Sequence, residues 1–190
     1  MENNKRNENT LNIIKFDADS PYRNEVESLY GESFPDSERK PFQMILSQGK
    51  TGKMELYIMT LEDQLAGLCF LIPGKVIDVL DYLAVSAKIR GHKIGTRTLE
   101  WLKKERTHPF VVEIESTLEN PSSQKTDRKR FYLNNEMNDC HTEFELFGVP
   151  MELLSSRRVV EYEEYEQTME DYFGQTLGKW MVHHPRSVGK

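Results

Sequence analysis

The chain has 190 residues, room for one domain with a sizeable core or one domain with an appendage. Its 37% hydrophobic and 29% charged content is polar but not that of a disordered chain, and a formal net charge of −6 argues against a nucleic-acid binder. No apolar run is long enough to cross a membrane, and no apolar stretch follows the charged start. Neither a membrane span nor a signal peptide is expected, and the expected location is cytoplasmic. Cys69 and Cys140 are far apart and form no CxxC pair, so both read as free thiols in a reducing compartment, with no metal site.

Met1 to Asn9 is polar after its first residue and reads as a flexible tail; the tail is expected over residues 1–10. Leu11 to Phe16 is a short strand. Ser20 and Pro21 look like the cap and first residue of a helix, with Val26, Leu29 and Tyr30 as its apolar positions. A second helix opens at Asp36-Ser37, with Ser37 as its cap and Phe42, Ile45 and Leu46 as its stripe. The charged stretch between them, GESFPDSERKPF, is either solvated surface or the lip of a pocket.

Met54 to Thr60 and Leu65 to Ile72 read as an antiparallel hairpin closed at Glu62-Asp63-Gln64. Val76 to Val85 is the third strand of the run. Asp78 and Asp81 fall on its opposite faces, so at least one points into a packed layer or a cavity and needs partners. A helix follows Gly95, carrying Leu99 and Leu102 inward and Lys103-Lys104 at its C-terminal end, and His108-Pro109 stops it. Phe110 to Glu115 is again a strand. Strand, helix and strand at this spacing make a βαβ unit with parallel strands.

Asp127 to Asn134 reads as a short basic helix. Phe144 to Val149 and Met151 to Val160 read as a closing hairpin. In the acidic stretch from Glu161 to Phe173, aromatic residues and Met169 recur at helical spacing, which predicts an amphipathic helix. Trp180 and Met181 are candidates for packing, and the rest of the tail is expected to fray.

The chemistry concentrates at KIRGHKIGT, Lys88 to Thr96, between a strand and a helix. Such a turn aims backbone N–H groups and the positive end of a helix at one point, which suits an anion. It is neither a triphosphate loop nor a dinucleotide fingerprint, since GK[ST] and GxGxxG are both absent. Alone, a basic turn is also ordinary solvated surface.

The strand ending Leu83-Ala84-Val85, followed by Arg90-Gly91-His92-Lys93-Ile94-Gly95, resembles the signature of the GCN5-related N-acetyltransferase (GNAT) superfamily, with Lys93 in place of the family's middle glycine. Arg128-Lys129-Arg130-Phe131-Tyr132 resembles the family's later arginine-and-aromatic helix, with Glu136-Met137 where glycine-phenylalanine is usual. The resemblance covers roughly Leu11 to Val160, leaving 161–190 as a C-terminal helix and tail. It implies an α/β fold: one GNAT-like domain over 11–160, a twisted mixed sheet of six or seven strands with helices on both faces, and a V-shaped cofactor entrance beside the strand ending at Val85.

It also implies acetyl-CoA as cofactor. Leu83, Ala84 and Val85 would bond the pantetheine arm and acyl carbonyl. Arg90, Gly91, His92, Lys93, Ile94, Gly95 and Thr96 would hold the pyrophosphate. Tyr132 would protonate the leaving thiolate, or is a packed aromatic with a bonded hydroxyl. Candidates for a base are Glu113, Glu115 and Asp81, the two glutamates otherwise pairing with Arg128 or Arg130. Glu32 is placed to meet a cationic acceptor. The implied reaction moves an acetyl group to a primary amine of a small molecule or peptide by direct attack. The alternatives are a non-catalytic acyl-CoA-binding regulatory domain and an interaction module without a cofactor. No nucleic-acid or membrane partner is expected, and the chain is a monomer or a homodimer.

Overall fold

The computed structural model describes residues 10–36, 38–89, 91–118, 121–174 and 182–186. The N-terminal tail through Asn9, the Ser37 cap, Arg90, Trp180 and Met181 lie outside the described residues. The elements in chain order are β1 (Leu11–Lys15), α1 (Arg23–Ser33), α2 (Phe42–Thr51), β2 (Glu55–Leu61), β3 (Gln64–Ile72), β4 (Asp78–Val85), α3 (Ile94–Glu105), β5 (Phe110–Glu115), α4 (Ser123–Asn134), β6 (Asn138–Leu146), β7 (Val149–Ser155), α5 (Tyr162–Phe173) and β8 (Val182–Arg186). The sheet is mixed, with helices on both faces and strand order β1-β2-β3-β4-β5-β7-β6-β8. Seven of these strands fall within the expected number. The eighth, β8, forms in the tail that was expected to fray, where it pairs antiparallel with β6.

The described chain falls into two compact units. One holds the chain up to Leu71 together with Tyr82–Thr98, and the other holds Ile72–Asp81 together with the chain from Leu99 onward.

In the first unit, β1, β2 and β3 form an antiparallel meander. The β2–β3 turn is the pair Glu62-Asp63, both at positive φ (51° and 60°), as a two-residue hairpin requires. Burial of Val26, Leu29 and Tyr30 on α1, and of Phe42, Ile45 and Leu46 on α2, follows their helical spacing. α1 starts later than Ser20-Pro21 suggests, because those residues form a turn in which the Ser20 hydroxyl accepts from Tyr22 N at 3.3 Å. α2 starts at Phe42 rather than behind Asp36-Ser37, and its N-cap is Pro41. An aromatic cluster of Phe16, Tyr30, Phe34, Phe42, Phe70 and Tyr82 fills the core. Gly67 has no room for a side chain, since a Cβ there would sit 2.4 Å from the Ala84 carbonyl oxygen.

In the second unit, β4 and β5 are parallel, and their registered pairs are Asp78 with Phe110 and Val79 with Val111. β5 then pairs antiparallel with β7, and β7 with β6. β6 begins at Asn138, earlier than the expected Phe144, and the turn to β7 is Phe147-Gly148, both at positive φ (50° and 81°). α4 starts at Ser123, before the expected Asp127, because Ser122 caps it by accepting from Lys125 N at 3.2 Å. α5 opens with a reciprocal capping box between Glu161 and Glu164 and buries Tyr162, Tyr165, Met169 and Tyr172. Asp78 is the buried aspartate of β4. Its Oδ1 accepts from Gly74 N at 3.0 Å and lies 2.9 Å from His108 Nε2, while Oδ2 lies 3.4 Å from Arg106 Nη1. A guanidinium, an imidazole and a turn amide thus offset the cost of burying this carboxylate.

Candidate active site

The glycine turn lies in the first unit. β4 ends at Val85, where Ser86 N donates to Ala66 O at 2.9 Å, so the chain leaves the sheet directly after Leu83-Ala84-Val85. Ala84 is buried and Val85 exposed. A short 3₁₀ turn over Ala87–Ile89 follows. Gly91 takes φ 89°, with open space around its Cα. His92 and Lys93 are exposed, and Lys93 takes φ 52°.

The carbonyl of Lys93 accepts from Arg97 N at 2.9 Å, which makes Lys93 the residue from which α3 starts. The amides of Ile94, Gly95 and Thr96 precede that first intrahelical bond, so the helix itself supplies no acceptor for them. Ile94 and Gly95 are buried, and the Thr98 hydroxyl donates to Ile94 O at 2.8 Å, anchoring the first turn. The result is a helix N-terminus presented by an open turn, with exposed basic side chains beside it. That arrangement can take a phosphate by backbone donation.

The same unit carries a cleft of about 320 Å³, lined by Glu27, Tyr30, Asp36, Arg39, Lys40, Pro41 and Phe42. Part of the stretch between the first two helices, Asp36 and Arg39 to Phe42, therefore borders an open cleft. Tyr82 of β4 holds it in place: its hydroxyl donates to Glu38 O at 3.0 Å and accepts from Lys40 N at 3.2 Å. Tyr30 donates to Lys40 O at 3.0 Å, and the Lys40 ammonium lies 5.2 Å from the Tyr82 ring centroid. Arg39 pairs with Asp36. Glu32 stands within α1 rather than in the loop, accepts from Ser28 Oγ at 2.8 Å, and does not line the cleft. Glu27 does, and the sequence reading missed it. The signal that it shares a helical face with Tyr30, three residues on, was there to find.

The second unit carries the carboxylates. Glu113 of β5 is half-buried and accepts a hydrogen bond at Oε1 from the hydroxyl of Tyr165. Glu115 pairs with Lys125 Nζ at 2.6 Å, and Arg130 pairs with Asp127. Glu113 thus meets a tyrosine, and Glu115 pairs with a lysine of α4 rather than an arginine. Asp81 is half-buried on β4. Tyr132 is half-buried on α4, edge-on to Phe131 at 5.1 Å between centroids. Arg128 is exposed.

Lys129, between those arginines, points inward to Asp139 (2.9 Å) and Glu152. Burial alone would lower its pKa, but the two carboxylates outweigh that and raise it. Burial likewise opposes ionisation of Asp139, and hydrogen bonds from Lys129 and from the His141 amide hold its carboxyl below the usual range. Glu136 takes φ 57°, a left-handed backbone that favours glycine, directly before the buried Met137.

No protein-family model and no curated protein matches the sequence. Solved structures do match the fold. A GNAT-family protein from Bacteroides thetaiotaomicron aligns with TM-score 0.71 at 20% identity, over 82% of this chain and 92% of its own. The aminoglycoside 6′-N-acetyltransferase of Enterococcus faecium aligns with TM-score 0.61 at 17% identity, over 79% of this chain and 98% of its own. A GNAT-family acetyltransferase from Elizabethkingia anophelis, solved with acetyl-CoA bound, aligns with TM-score 0.53 at 16% identity, over 76% and 96%. The chain has the fold of the GCN5-related N-acetyltransferases.

Proposed function

We propose that the chain is an acetyl-CoA-dependent N-acetyltransferase that moves an acetyl group to a primary amine of a small molecule or peptide. The observation that carries this reading is the N-terminus of α3, presented behind an open turn at Gly91–Lys93 directly after the strand end Leu83-Ala84-Val85. In this reading the amides from His92 to Thr96, with Arg90, take the pyrophosphate. Leu83 to Val85 bond the pantetheine arm and the acyl carbonyl, one of their N–H groups serving as oxyanion donor.

The reaction needs a group to take a proton from the acceptor ammonium and a donor for the departing thiolate. Tyr132 is assigned the second role. The first role stays with Glu113, Glu115 and Asp81 as candidates, of which Glu115 is held in an ion pair with Lys125. The cleft at Glu27, Asp36, Arg39 and Lys40 is assigned to the acceptor, with Glu27 in the part first given to Glu32. The alternative of a non-catalytic acyl-CoA-binding domain draws on Lys93 and on Glu136-Met137. Lys93 and Glu136 both take the left-handed backbone that glycine favours, which supports a turn and a helix end of the family's shape at the two departures.

The test is calorimetric titration of the purified chain with acetyl-CoA, with desulfo-CoA and adenosine diphosphate as controls. Saturable binding is expected, weakened about tenfold in Arg90→Ala, the loss of one charge-assisted contact. Release of free thiol in the presence of a panel of primary amines then separates the enzyme from a binding domain. No binding at millimolar ligand removes both readings.

A further inference from the structure

Gly67 of β3 and Ala84 of β4 meet within the first unit. A Cβ on Gly67 would lie 2.4 Å from the Ala84 carbonyl oxygen, 2.6 Å from Met59 Cε and 3.4 Å from Val85 Cα. The methionine methyl ends a flexible side chain and can yield. The carbonyl is backbone, and it yields only if the end of β4 moves with it.

The register of β2 with β3 passes from Met59–Gly67 to Thr60–Leu65, so Ala66 is an extra residue in β3, a bulge. Its carbonyl accepts from Ser86 N at 2.9 Å, directly behind β4. Bulge and glycine together bring the end of β4 close against β3, and they fix which way its peptide groups face. Ser86 N–H and Ala84 C=O both point to β3. Along a strand the edge alternates residue by residue, and a trans peptide sets each N–H opposite the preceding C=O. The amides of Leu83 and Val85 therefore face the other edge of β4, while that of Ala84 faces β3.

We propose that Gly67 is a positioning residue: by admitting the Ala84 carbonyl beside β3, it aims the Leu83 and Val85 amides outward as donors to the arm of the coenzyme. This rests on the acetyl-CoA reading above and narrows it, since Ala84 then gives the ligand no hydrogen bond from its amide. A side chain at position 67 displaces the Ala84 carbonyl, and the Val85 N–H in the same rigid peptide plane turns with it. The turn from Gly91 to Thr96 makes no contact with Gly67 and keeps its own geometry.

The test compares the native full chain with Gly67→Ala and Gly74→Ala by calorimetric titration with acetyl-CoA, urea unfolding being run on all three. Gly74 is the control: a Cβ there would also strike a backbone carbonyl, that of Ile77 at 2.0 Å, but in the second unit. Both variants are expected to lose stability by overpacking. Gly67→Ala is expected to weaken acetyl-CoA binding about tenfold, the loss of one hydrogen bond, and Gly74→Ala to leave it within about twofold. Amide exchange on the native chain needs no variant to fold. Saturating acetyl-CoA is expected to slow exchange more than about tenfold at Leu83 and Val85, and at Ala84 only as much as in the unit as a whole.

Native affinity in Gly67→Ala overturns the proposal and leaves the coenzyme reading standing. An equal loss of affinity in both variants does the same, because the glycine then serves stability alone. So does added protection at Ala84 rather than at Leu83 and Val85. A native chain that binds no acetyl-CoA overturns the coenzyme reading and this role with it.

Discussion

Gly74 and Thr168 are packed with no space between them for a side chain: a Cβ on Gly74 would lie 2.8 Å from Thr168 Cγ2 and 2.0 Å from the Ile77 carbonyl oxygen. The glycine precedes β4, and its amide donates to the buried Asp78. Thr168 is a buried residue of α5 whose hydroxyl donates to Glu164 O at 2.9 Å, so it cannot swing away without breaking that bond. Gly74→Ala is therefore expected to cost about 1–3 kcal/mol by overpacking. Urea unfolding measures it, with m unchanged. An alanine variant as stable as the native chain would show that the turn shifts freely.

Lys93 and Glu136 pose the opposite case. Each holds a left-handed backbone, φ 52° and 57°, that a residue with a Cβ adopts at a cost. Lys93 is exposed, and Glu136 is 92% exposed with only a 3.8 Å ion pair to Lys103. Little is lost with either side chain. Lys93→Gly and Glu136→Gly are each expected to stabilise the chain by about 0.5–1 kcal/mol, after the added entropy of glycine in the unfolded state is subtracted. The thermal midpoint measures both. Lys93→Gly is also expected to leave acetyl-CoA affinity within about twofold, since the contribution assigned to Lys93 is its backbone.

What could be read from sequence follows from where the physics is local. β5 was legible to the residue because an apolar run is bounded by His108-Pro109. α5 was legible because its stripe repeats at helical spacing. β6 was not, because its first half is polar, His141 takes φ 53°, and the register slips between Asp139 and Glu143, so no alternation survives. The start of α4 was missed because the helix buries no residue fully and has no stripe to announce it. β8, HHPR after a valine, carries a proline and reads as no strand at all, and an edge position is what makes it tolerable. The glycine turn was legible as a motif, whereas the partner of Glu113 was not. Tyr165 lies 52 residues away, and only the packing of α5 brings it there.

Lys129 makes the second unit sensitive to acid. Its side chain is 18% exposed, that of Glu152 only 5%, and Glu152 also accepts from the Thr117 hydroxyl at 2.9 Å. The folded-state pKa of Asp139 is depressed. Its contribution is thus present above the ordinary carboxylate value of about 4 and is lost as pH falls through the folded value. The pKa of Lys129 is raised, so its contribution is full below its ordinary value of 10.5 and is lost only as pH climbs past it. Lys129→Met strands two carboxylates and is expected to cost about 3 kcal/mol at pH 7. Its unfolding midpoint is expected to fall less than that of the native chain between pH 5 and pH 3, since the depression of Asp139 goes with the lysine. Parallel urea titrations across that range decide it: equal acid sensitivity in both proteins would place its origin elsewhere.

Tyr82 connects the fold of the first unit to the assigned acceptor cleft. One hydroxyl donates to Glu38 O and accepts from Lys40 N, so a single atom spans the segment that forms the lip. Tyr82→Phe keeps the ring, its edge-on contacts to Tyr30 and Phe34 at 4.9 Å, and the face over which Lys40 lies. The two hydrogen bonds lost lie in a part-buried loop and are worth about 1–2 kcal/mol together. Two readouts separate the local effect from the global one. Amide exchange at Lys40 is expected to accelerate more than tenfold while exchange in β2 and β3 follows the small global change. If the cleft takes the acceptor, KM for the amine rises severalfold and KM for acetyl-CoA holds, because the glycine turn is untouched. Faster exchange at Lys40 with an unchanged amine KM would separate the cleft from the acceptor and send the search for that site elsewhere.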